Sequence, residues 1–196
     1  MLWIFWIILA FFLGSLPFGL IVAKVSKGLD PRRDGSGNTG ATNVARLCGT
    51  GYGVLVLVLD ILKGFLPLLM ASHYSSNWFF ITLCGLAAIL GHIYSPFLNW
   101  KGGKAVAVTI GVFLAVAFWA TVLSAAACLA VIAASGFVSM GSLTLALALP
   151  VFCLLTLHIG TVPLALIASA ILLVRHRENV LRLARGEEKP WRKHSA

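Results

Sequence analysis

Long apolar runs separated by short polar segments dominate the chain. Three of these runs have clear bounds, Leu2–Ala23, Tyr52–Ala71 and Trp78–Leu98. A helix of about 20 apolar residues is long enough to cross the hydrocarbon core of a bilayer. A fourth stretch, Ala105–Val174, runs for 70 residues without Asp, Glu, Lys or Arg. The pattern predicts an all-α integral membrane protein.

The fourth stretch must contain several crossings of the membrane. Lys101 and Lys104 precede it and a basic tail that begins at Arg175 follows it, so both ends should face the same compartment and the number of crossings is even. Two crossings would be about 35 residues long, whereas four give compact spans of about 17 residues. We expect breaks near Trp119–Ser124, Ser135–Ser142 and His158–Pro163. The total is seven transmembrane helices.

Basic residues are confined to one face of this predicted topology. Of the 15 Lys and Arg, five follow the first span, two follow the third span and seven lie in the tail. The remaining one, Lys63, lies within the second span, and the connection His73–Asn77 has none. The positive-inside rule therefore predicts an outside N-terminus and a cytoplasmic C-terminus.

Composition supports the same class and excludes others. The chain is 60% hydrophobic and 11% charged, with a mean hydropathy of +0.97, whereas soluble domains are roughly 25% charged. We expect one seven-span domain of residues 1–196 with a basic cytoplasmic tail at about 180–196. The net charge of +9 is a topology signal and not a nucleic-acid surface. The four cysteines show no metal spacing, so we expect buried thiols, no metal and no cofactor.

The polar segment of residues 30–46 is the strongest candidate for a ligand site. Gly35, Gly37 and Gly40 allow positive φ angles, which can turn successive N–H groups into one anion-binding concavity. Its polar side chains include Ser36, Asn38, Thr39, Thr42, Asn43 and Arg46. The alternative is a flexible connector between two membrane helices. The segment is not a Walker loop, because it lacks the Gly-Lys-Ser/Thr ending.

A second glycine segment precedes the long apolar stretch. Gly102 and Gly103 with Lys104 would place unbonded N–H groups and an ammonium at a helix N-terminus, where phosphate binds readily. The motif by itself has low specificity. If the segment lies close to the first polar loop, both would contact the same anion.

Two further polar clusters face the same predicted compartment. Ser139 and Ser142 either cap the following helix or face a ligand. His176, Glu178 and Asn179 open the tail. The active site is therefore expected at the cytoplasmic face.

Three ionisable residues lie within the predicted spans. Asp60 and Lys63 are three residues apart, so they share a helix face and can form a structural ion pair; a direct role on substrate is the alternative. His92 either relays a proton or bonds a backbone carbonyl. The interruption Gly14–Gly19 predicts a kink or close helix packing, with no chemistry.

These motifs together resemble the bacterial membrane acyl-phosphate:glycerol-3-phosphate acyltransferases. The resemblance covers the whole chain and preserves the order and spacing of six motifs. They are Gly35-Ser-Gly-Asn-Thr-Gly-Ala-Thr-Asn-Val-Ala-Arg46, Asp60-Ile-Leu-Lys-Gly64, Gly91-His92, Lys101-Gly-Gly-Lys104, Ser139-Met-Gly-Ser142 and His176-Arg-Glu-Asn179. It implies a seven-span enzyme of the bacterial inner membrane that needs no metal. It also implies acyl phosphate and glycerol 3-phosphate as substrates, lysophosphatidic acid as product, and a soluble partner enzyme that supplies acyl phosphate.

The resemblance also implies roles for individual residues. Ser36, Gly37, Asn38, Asn43, Gly102 and Gly103 would hold phosphate, with Arg46 and Lys104 neutralising it. Ser142, His176 and Asn179 would orient glycerol 3-phosphate, and His176 is an alternative to a substrate phosphate as the base, since imidazole has an ordinary pKa of about 6.5. Asp60, Lys63, His92 and Glu178 would support the site.

Other classes of protein stay open on the residues alone. A phosphate or organic-anion transporter would also gather cations and glycines, but its site should lie near the membrane midplane between repeated halves. A non-catalytic lipid-binding scaffold would account for the basic tail but not for the glycine-rich loop.

Overall fold

The computed structural model describes residues 2–191, and this part of the chain is helical, without strands. Its α-helices are α1 Leu2–Gly14, α2 Phe18–Lys27, α3 Ala41–Cys48, α4 Thr50–Tyr74, α5 Trp78–Ile93, α6 Val106–Val116, α7 Phe118–Ser135, α8 Val138–Leu155, α9 Val162–Arg175 and α10 Arg177–Ala184. Two short 3-10 turns, Pro96–Leu98 and Ile159–Thr161, precede α6 and α9.

The chain divides into two compact units. Unit 1 is Met1–Val116 and unit 2 is Ala117–Ala196. The helices from α1 to α6 therefore belong to the first unit and those from α7 to α10 to the second. The organisation of residues 1–196 as one domain stays a prediction.

Apolar helices of membrane-spanning length recur in both units. Five segments of the described chain are long and apolar enough to cross a bilayer: Leu2–Lys27, Thr50–Tyr74, Trp78–Leu98, Phe118–Ser135 and Val138–Leu155. A sixth would be the pair Ile159–Arg175 and Arg177–Ala184, which is bent by 54°. The apolar helix α6 is shorter, at 11 residues. The protein is an all-helical membrane protein, and the count of seven spans stays a prediction.

The first break predicted in the long apolar stretch was misplaced. The chain leaves helical geometry at Ala117, whose φ is −152° and ψ is 63°, and α7 then runs through the expected break at Trp119–Ser124. The hydroxyls of Thr121 and Ser124 donate to backbone carbonyls four residues earlier, at 2.8 and 2.7 Å. These polar residues therefore satisfy their hydrogen bonds inside the helix and do not interrupt it.

The other two breaks occur where they were expected. Gly136 ends α7 with a left-handed φ of 75°, and Ile159–Thr161 forms the turn before α9. However, the interpretation of the serines as caps was wrong, because α8 begins directly after Phe137 without a side-chain cap. Ser139 and Ser142 lie in its first turns, and the Ser142 hydroxyl donates to the Val138 carbonyl at 3.0 Å.

Small residues allow close approach of two helix pairs in unit 1. A Cβ at Gly14 would overlap the carbonyl of Ala88, so α1 and α5 can pack this closely only through glycine. Gly111 of α6 faces the backbone of α4 at Ile61 in the same way. Such contacts are typical of helices that pack inside membranes. They confirm the expectation of close packing at Gly14.

Candidate functional site

A small apolar core joins the helices on either side of the glycine-rich loop of unit 1. Ala23 of α2, Val44 and Cys48 of α3, and Val56 of α4 are buried together there. Burial of these side chains holds the short helix α3 in place, since eight residues are too few to form a stable helix alone. The loop between α2 and α3 is thereby built on a packed base.

Asn43 is the centre of the loop. Its side chain is 2% exposed, and its amide nitrogen donates to three backbone carbonyls, those of Pro31, Asp34 and Asn38, at 2.9–3.1 Å. Its amide oxygen accepts from the Ser36 N–H at 2.9 Å. The side chain therefore organises the loop from within, and its role as a phosphate ligand stays a prediction.

The loop glycines shape the backbone, and several of the N–H groups predicted to form an anion-binding concavity are bonded within the loop. Gly35 and Gly37 have φ angles of 68° and 69°, as expected, whereas Gly40 is extended at −73°. The Gly37 N–H donates to the Asp34 carbonyl, and the Gly40 N–H donates to the Asn38 side chain at 2.8 Å. With the N–H of Ser36, three donors expected to face a ligand are bonded within the loop.

Charged side chains flank the loop at both ends. At its start Arg32 binds Asp30 through two nitrogens, the shorter contact being 2.6 Å. This hydrogen-bonded guanidinium holds the pKa of the Asp30 carboxyl well below its usual range. At its end Arg46 is exposed on the last turn of α3. Arg46 is thus placed where a phosphate could reach it.

The second glycine segment also differs from its prediction. The Gly102 N–H donates to the Ile93 carbonyl at 2.9 Å and the Gly103 N–H donates to the His92 carbonyl at 3.3 Å. These glycines allow the segment to lie directly against the end of α5, since a Cβ at Gly102 would overlap the His92 carbonyl. Their N–H groups are therefore not open to phosphate, and Lys104, which is half-buried, is the cation that the segment supplies.

The buried ion pair Asp60–Lys63 lies against the break between α1 and α2. Lys63 Nζ lies 2.7 Å from Asp60 Oδ1, and both side chains are 3% exposed. The same ammonium donates to the Leu16 carbonyl at 2.7 Å, while the Ser95 hydroxyl donates to the Ser15 carbonyl at 2.6 Å. Carbonyls left unbonded at a helix break are costly inside a membrane. The ion pair predicted from the i, i+3 spacing is observed, with a backbone partner that the spacing did not indicate.

A small cavity of about 10 Å³ lies beside this pair, with room for about one water molecule. Among the residues that line it are Asp60, Lys63, His92 of α5 and Thr39 of the glycine-rich loop. The carbonyl of His92 also holds Gly103. Thr39 of the glycine-rich loop and His92, which bonds Gly103, therefore line the same cavity. The cavity is too small for a substrate.

In unit 2, His176 is buried, at 3% exposed, where α9 ends and α10 begins. Its Nδ1 lies 2.8 Å from the Leu172 carbonyl. A carbonyl only accepts, so neutral His176 carries its proton on Nδ1 and presents Nε2 as the basic nitrogen. This tautomer is compatible with His176 as the alternative to a substrate phosphate as the base.

Asn179 contacts the carboxylate of Glu188, which lies nine residues further along the chain. Glu178 is exposed in the first turn of α10. Asn179 Nδ2 donates to Glu188 Oε1 at 2.7 Å, and Arg182 Nε donates to Glu188 Oε2 at 2.7 Å. Burial raises the pKa of Glu188, but hydrogen bonds from Asn179, Ser139 and Arg182 outweigh it and place the pKa below its usual range.

Sequence reasoning missed Glu188 because it lies beyond α10, in a segment that we call the tail strap, residues 186–191. Gly186 has a φ of 71°, and the N–H groups of Gly186 and Glu187 donate to the carbonyls of Leu183 and Arg182. These two bonds form a Schellman motif, which reverses the chain. Gly186 was the signal in the sequence that could have predicted the reversal.

The clusters are thus assembled within each unit, and their predicted convergence on one cytoplasmic site stays a prediction. The four cysteines are buried, as expected. Within residues 2–191, no three His, Cys, Asp or Glu side chains are grouped closely enough to hold a metal ion.

Comparison with known proteins places this arrangement in a family. Residues 4–186 match the family model described as glycerol-3-phosphate acyltransferase. A glycerol-3-phosphate acyltransferase of Maridesulfovibrio salexigens is 60% identical over 193 residues, covering 98% of this chain and 99% of that protein. One of Aquifex aeolicus is 41% identical over 94% of this chain and 97% of its own length.

Two crystal structures of PlsY, an integral membrane glycerol 3-phosphate acyltransferase, are similar to this fold. The glycerol 3-phosphate form superposes with a TM-score of 0.93 at 40% identity, over 97% of this chain and 96% of that one. The lysophosphatidic acid form gives 0.91 at 39% identity, over 97% and 95%. On the family match and these similarities, the chain belongs to the glycerol-3-phosphate acyltransferase family.

Proposed function

We propose that this protein transfers an acyl group from acyl phosphate to the 1-hydroxyl of glycerol 3-phosphate, releasing lysophosphatidic acid and inorganic phosphate. The observation that carries the proposal is the similarity, at a TM-score of 0.93 over 97% of the chain, to an acyltransferase crystallised in its glycerol 3-phosphate form. Acyl phosphate is the donor because the motifs resemble the acyl-phosphate-dependent enzymes and the chain offers no adenine-binding feature. This would be the first acylation step of phospholipid synthesis.

The reaction depends more on positioning the two substrates and stabilising developing charge than on activating the leaving group. The hydroxyl oxygen bonds to the acyl carbon, the bond from that carbon to the phosphate oxygen breaks, and inorganic phosphate leaves. Because phosphate is already a good leaving group, holding two dianions together supplies much of the rate enhancement. The hydroxyl proton passes to Nε2 of His176 or to a substrate phosphate. His176 and Ser142 would orient glycerol 3-phosphate beside Asn179.

In this proposal, side chains bind the phosphate groups. Ser36, Asn38, Arg46 and Lys104 would contact phosphate oxygens, since many of the backbone N–H groups first expected to do so are bonded internally. Asn43 would support phosphate binding indirectly, by holding the backbone of the loop in place. Asp60, Lys63 and His92 would support the glycine segments from beneath, and Glu178 would act only as an acidic residue at the start of α10.

The test of the function is chemical turnover by the purified protein. With acyl phosphate and glycerol 3-phosphate together, we expect release of inorganic phosphate and formation of lysophosphatidic acid in equal amounts. Robust turnover with acyl-CoA and none with acyl phosphate would overturn the donor assignment. Uptake of phosphate into vesicles without any chemistry would instead identify a transporter.

We further propose seven spans with the N-terminus outside, the C-terminus and active site at the cytoplasmic face, and a bacterial cytoplasmic membrane location. The support is the one-sided distribution of Lys and Arg, with α6 and the segment from Ile159 supplying the two crossings beyond the five longest. A soluble enzyme that makes acyl phosphate would be the partner. Cysteines introduced at residues 73–77 and 185–191 should be labelled from opposite sides of the membrane, and labelling from the same side would contradict this topology.

Arg46→Ala and Lys104→Ala are each expected to lower kcat/KM by at least about tenfold. A charge-assisted hydrogen bond to phosphate typically contributes about 1.5–3 kcal/mol, and 1.36 kcal/mol corresponds to a tenfold change. Arg46→Lys should restore only part of the loss, since an ammonium cannot reproduce the planar guanidinium. Steady-state kinetics on both substrates checks this.

The matched control for these cations is Arg33→Ala, which removes an exposed cation from the same loop and should leave kcat/KM close to wild type. Arg192→Ala should also have little effect, although that residue lies outside the described part of the chain. Normal turnover by folded Arg46→Ala and Lys104→Ala would contradict the anion-site role of both residues.

A further inference from the structure

An exposed stripe of side chains begins on α9 and continues along α10. The segment Ile159–Arg175 and α10 together have the length and hydropathy of a membrane span, although the helix axis bends by 54° between them. Exposed side chains recur every three or four residues along both helices, so they follow one side of each. They are Leu166, Ala170 and Val174 of α9, then Arg177 and Leu181 of α10 and Arg185 at its end. The stripe is apolar on α9 and gains cations on α10.

α10 has a buried side and an exposed side with different chemistry. Asn179 on the buried side is 5% exposed, whereas Val180 and Leu181 are 45% and 56% exposed. Arg177 and Arg185 lie at the two ends of the exposed side. A helix with apolar residues between cations is typical of the bilayer interface, where the apolar side chains reach the acyl chains and the guanidinium groups reach the phosphates.

The charge around α10 is complementary to an anionic surface. Residues 175–196 contain seven Lys and Arg and three Glu, which gives this segment a net charge of +4. One of the three acidic residues, Glu188, is bound to Arg182 at 2.7 Å. A basic residue close to an anionic membrane surface favours binding by about fivefold. The sign of the charge therefore favours anionic lipids over zwitterionic ones.

We propose that the exposed side of α10 is a binding surface for the headgroups of anionic phospholipids. Val180 and Leu181 lie at the boundary of the acyl chains, and Arg177 and Arg185 bind headgroup phosphates, to which a guanidinium can donate two parallel hydrogen bonds. The bilayer is the occupant because α10 directly continues the exposed side of an apolar helix of the membrane. This surface is separate from the reaction and does not depend on the proposed function.

Relative lipid binding beside α10 tests this surface. A fluorophore is attached to the full chain at Ala184→Cys, since Ala184 is exposed beside Arg185 and the four native cysteines are buried. The protein is reconstituted into phosphatidylcholine vesicles with brominated phosphatidylglycerol or brominated phosphatidylcholine as quencher. Quenching then gives the binding constant of the anionic lipid relative to the zwitterionic one. At about 0.1 M salt, we expect this ratio to be about five or more.

Substitution of both arginines shows whether they cause the preference. In Arg177→Gln/Arg185→Gln the ratio should fall to within about twofold of one, because both cations are lost. Arg33→Gln removes an exposed cation from the glycine-rich loop and should leave the ratio unchanged. A fluorophore at Ile159→Cys reports on the other end of the same apolar segment, where residues 105–174 have no Lys or Arg. A ratio near one is expected there.

Salt dependence gives a second measurement that needs no arginine variant. At about 1 M salt the Debye length falls from about 10 to about 3 Å, so the ratio at Ala184→Cys should fall at least twofold. If the double arginine variant fails to fold, this salt dependence decides.

Three results would overturn the proposal. The first is equal quenching by the two lipids at Ala184→Cys, and the second is quenching by neither, which would mean that water or protein covers this side of α10. The third is a preference that persists without both arginines or at high salt, because it would not come from these cations. None of these measurements uses the formation of lysophosphatidic acid, so this proposal and the proposed function can fail independently.

Discussion

Asp60→Ala is expected to lower the free energy of unfolding by about 3–5 kcal/mol, because it leaves the buried Lys63 ammonium without its counter-ion. For a chain of this size the loss corresponds to a fall in Tm of about 6–20 °C. Thermal unfolding of the purified protein in detergent measures it. Activity should fall with the same temperature dependence, because we propose that the pair supports the site without touching substrate.

The double variant Asp60→Leu/Lys63→Met separates the ion pair from its backbone contact. Replacing both charges removes the unpaired ion, so it should be more stable than Asp60→Ala. It should stay below wild type by about 1–3 kcal/mol, since the Leu16 carbonyl loses its contact with Lys63 at 2.7 Å and keeps only the Phe18 N–H at 3.1 Å. The exposed control Lys27→Met should be close to wild type. Wild-type Tm in Asp60→Ala would contradict the role of the pair.

Asn43→Ala is expected to lower kcat/KM by about 100-fold or more, since it deletes the two N–H donors and the acceptor that hold the loop together, at about 1 kcal/mol each, and about 2.7 kcal/mol corresponds to 100-fold. Tm should also fall. Asn43→Asp should be at least as damaging, because its carboxylate would accept from the Ser36 N–H but would face three carbonyls. Steady-state kinetics and thermal unfolding of each variant check both effects.

The paired measurement distinguishes two roles for Asn43. A residue that only binds phosphate would lose activity on substitution to Ala while Tm stayed unchanged, and that result would contradict the organising role. Thr42→Ala, next to it on α3, is the control and should change stability by less than about 0.5 kcal/mol.

Much of the architecture could be predicted from the sequence. Apolar runs bounded by polar residues predicted helices in the right places, since spanning a bilayer demands a length and a composition that few other structures share. The i, i+3 spacing predicted the contact between Asp60 and Lys63 because both lie on one rigid helix. The break at Gly136 was visible because glycine readily adopts the left-handed conformation that ends a helix there.

Predictions failed where the partner of a polar group lay elsewhere in the chain. The glycine loop was expected to present N–H groups outward, but Asn43, seven residues after Ser36, turns one of them inward. Thr121 and Ser124 were read as a break, although inside a helix their hydroxyls bond the preceding turn. Sequence patterns identify donors and acceptors, but they do not specify which of several nearby partners each one takes.

The sequence alone thus determined the membrane class, the main apolar helices and the family, because each depends on local composition or on motifs in a set order. Only the tertiary structure decided that Lys63 bonds the Leu16 carbonyl, that Gly102 and Gly103 pack against α5, and that Glu188 contacts Asn179. These contacts join segments 9 to 47 residues apart. Their formation depends on where turns and helix breaks return the chain, and that is set by packing in three dimensions.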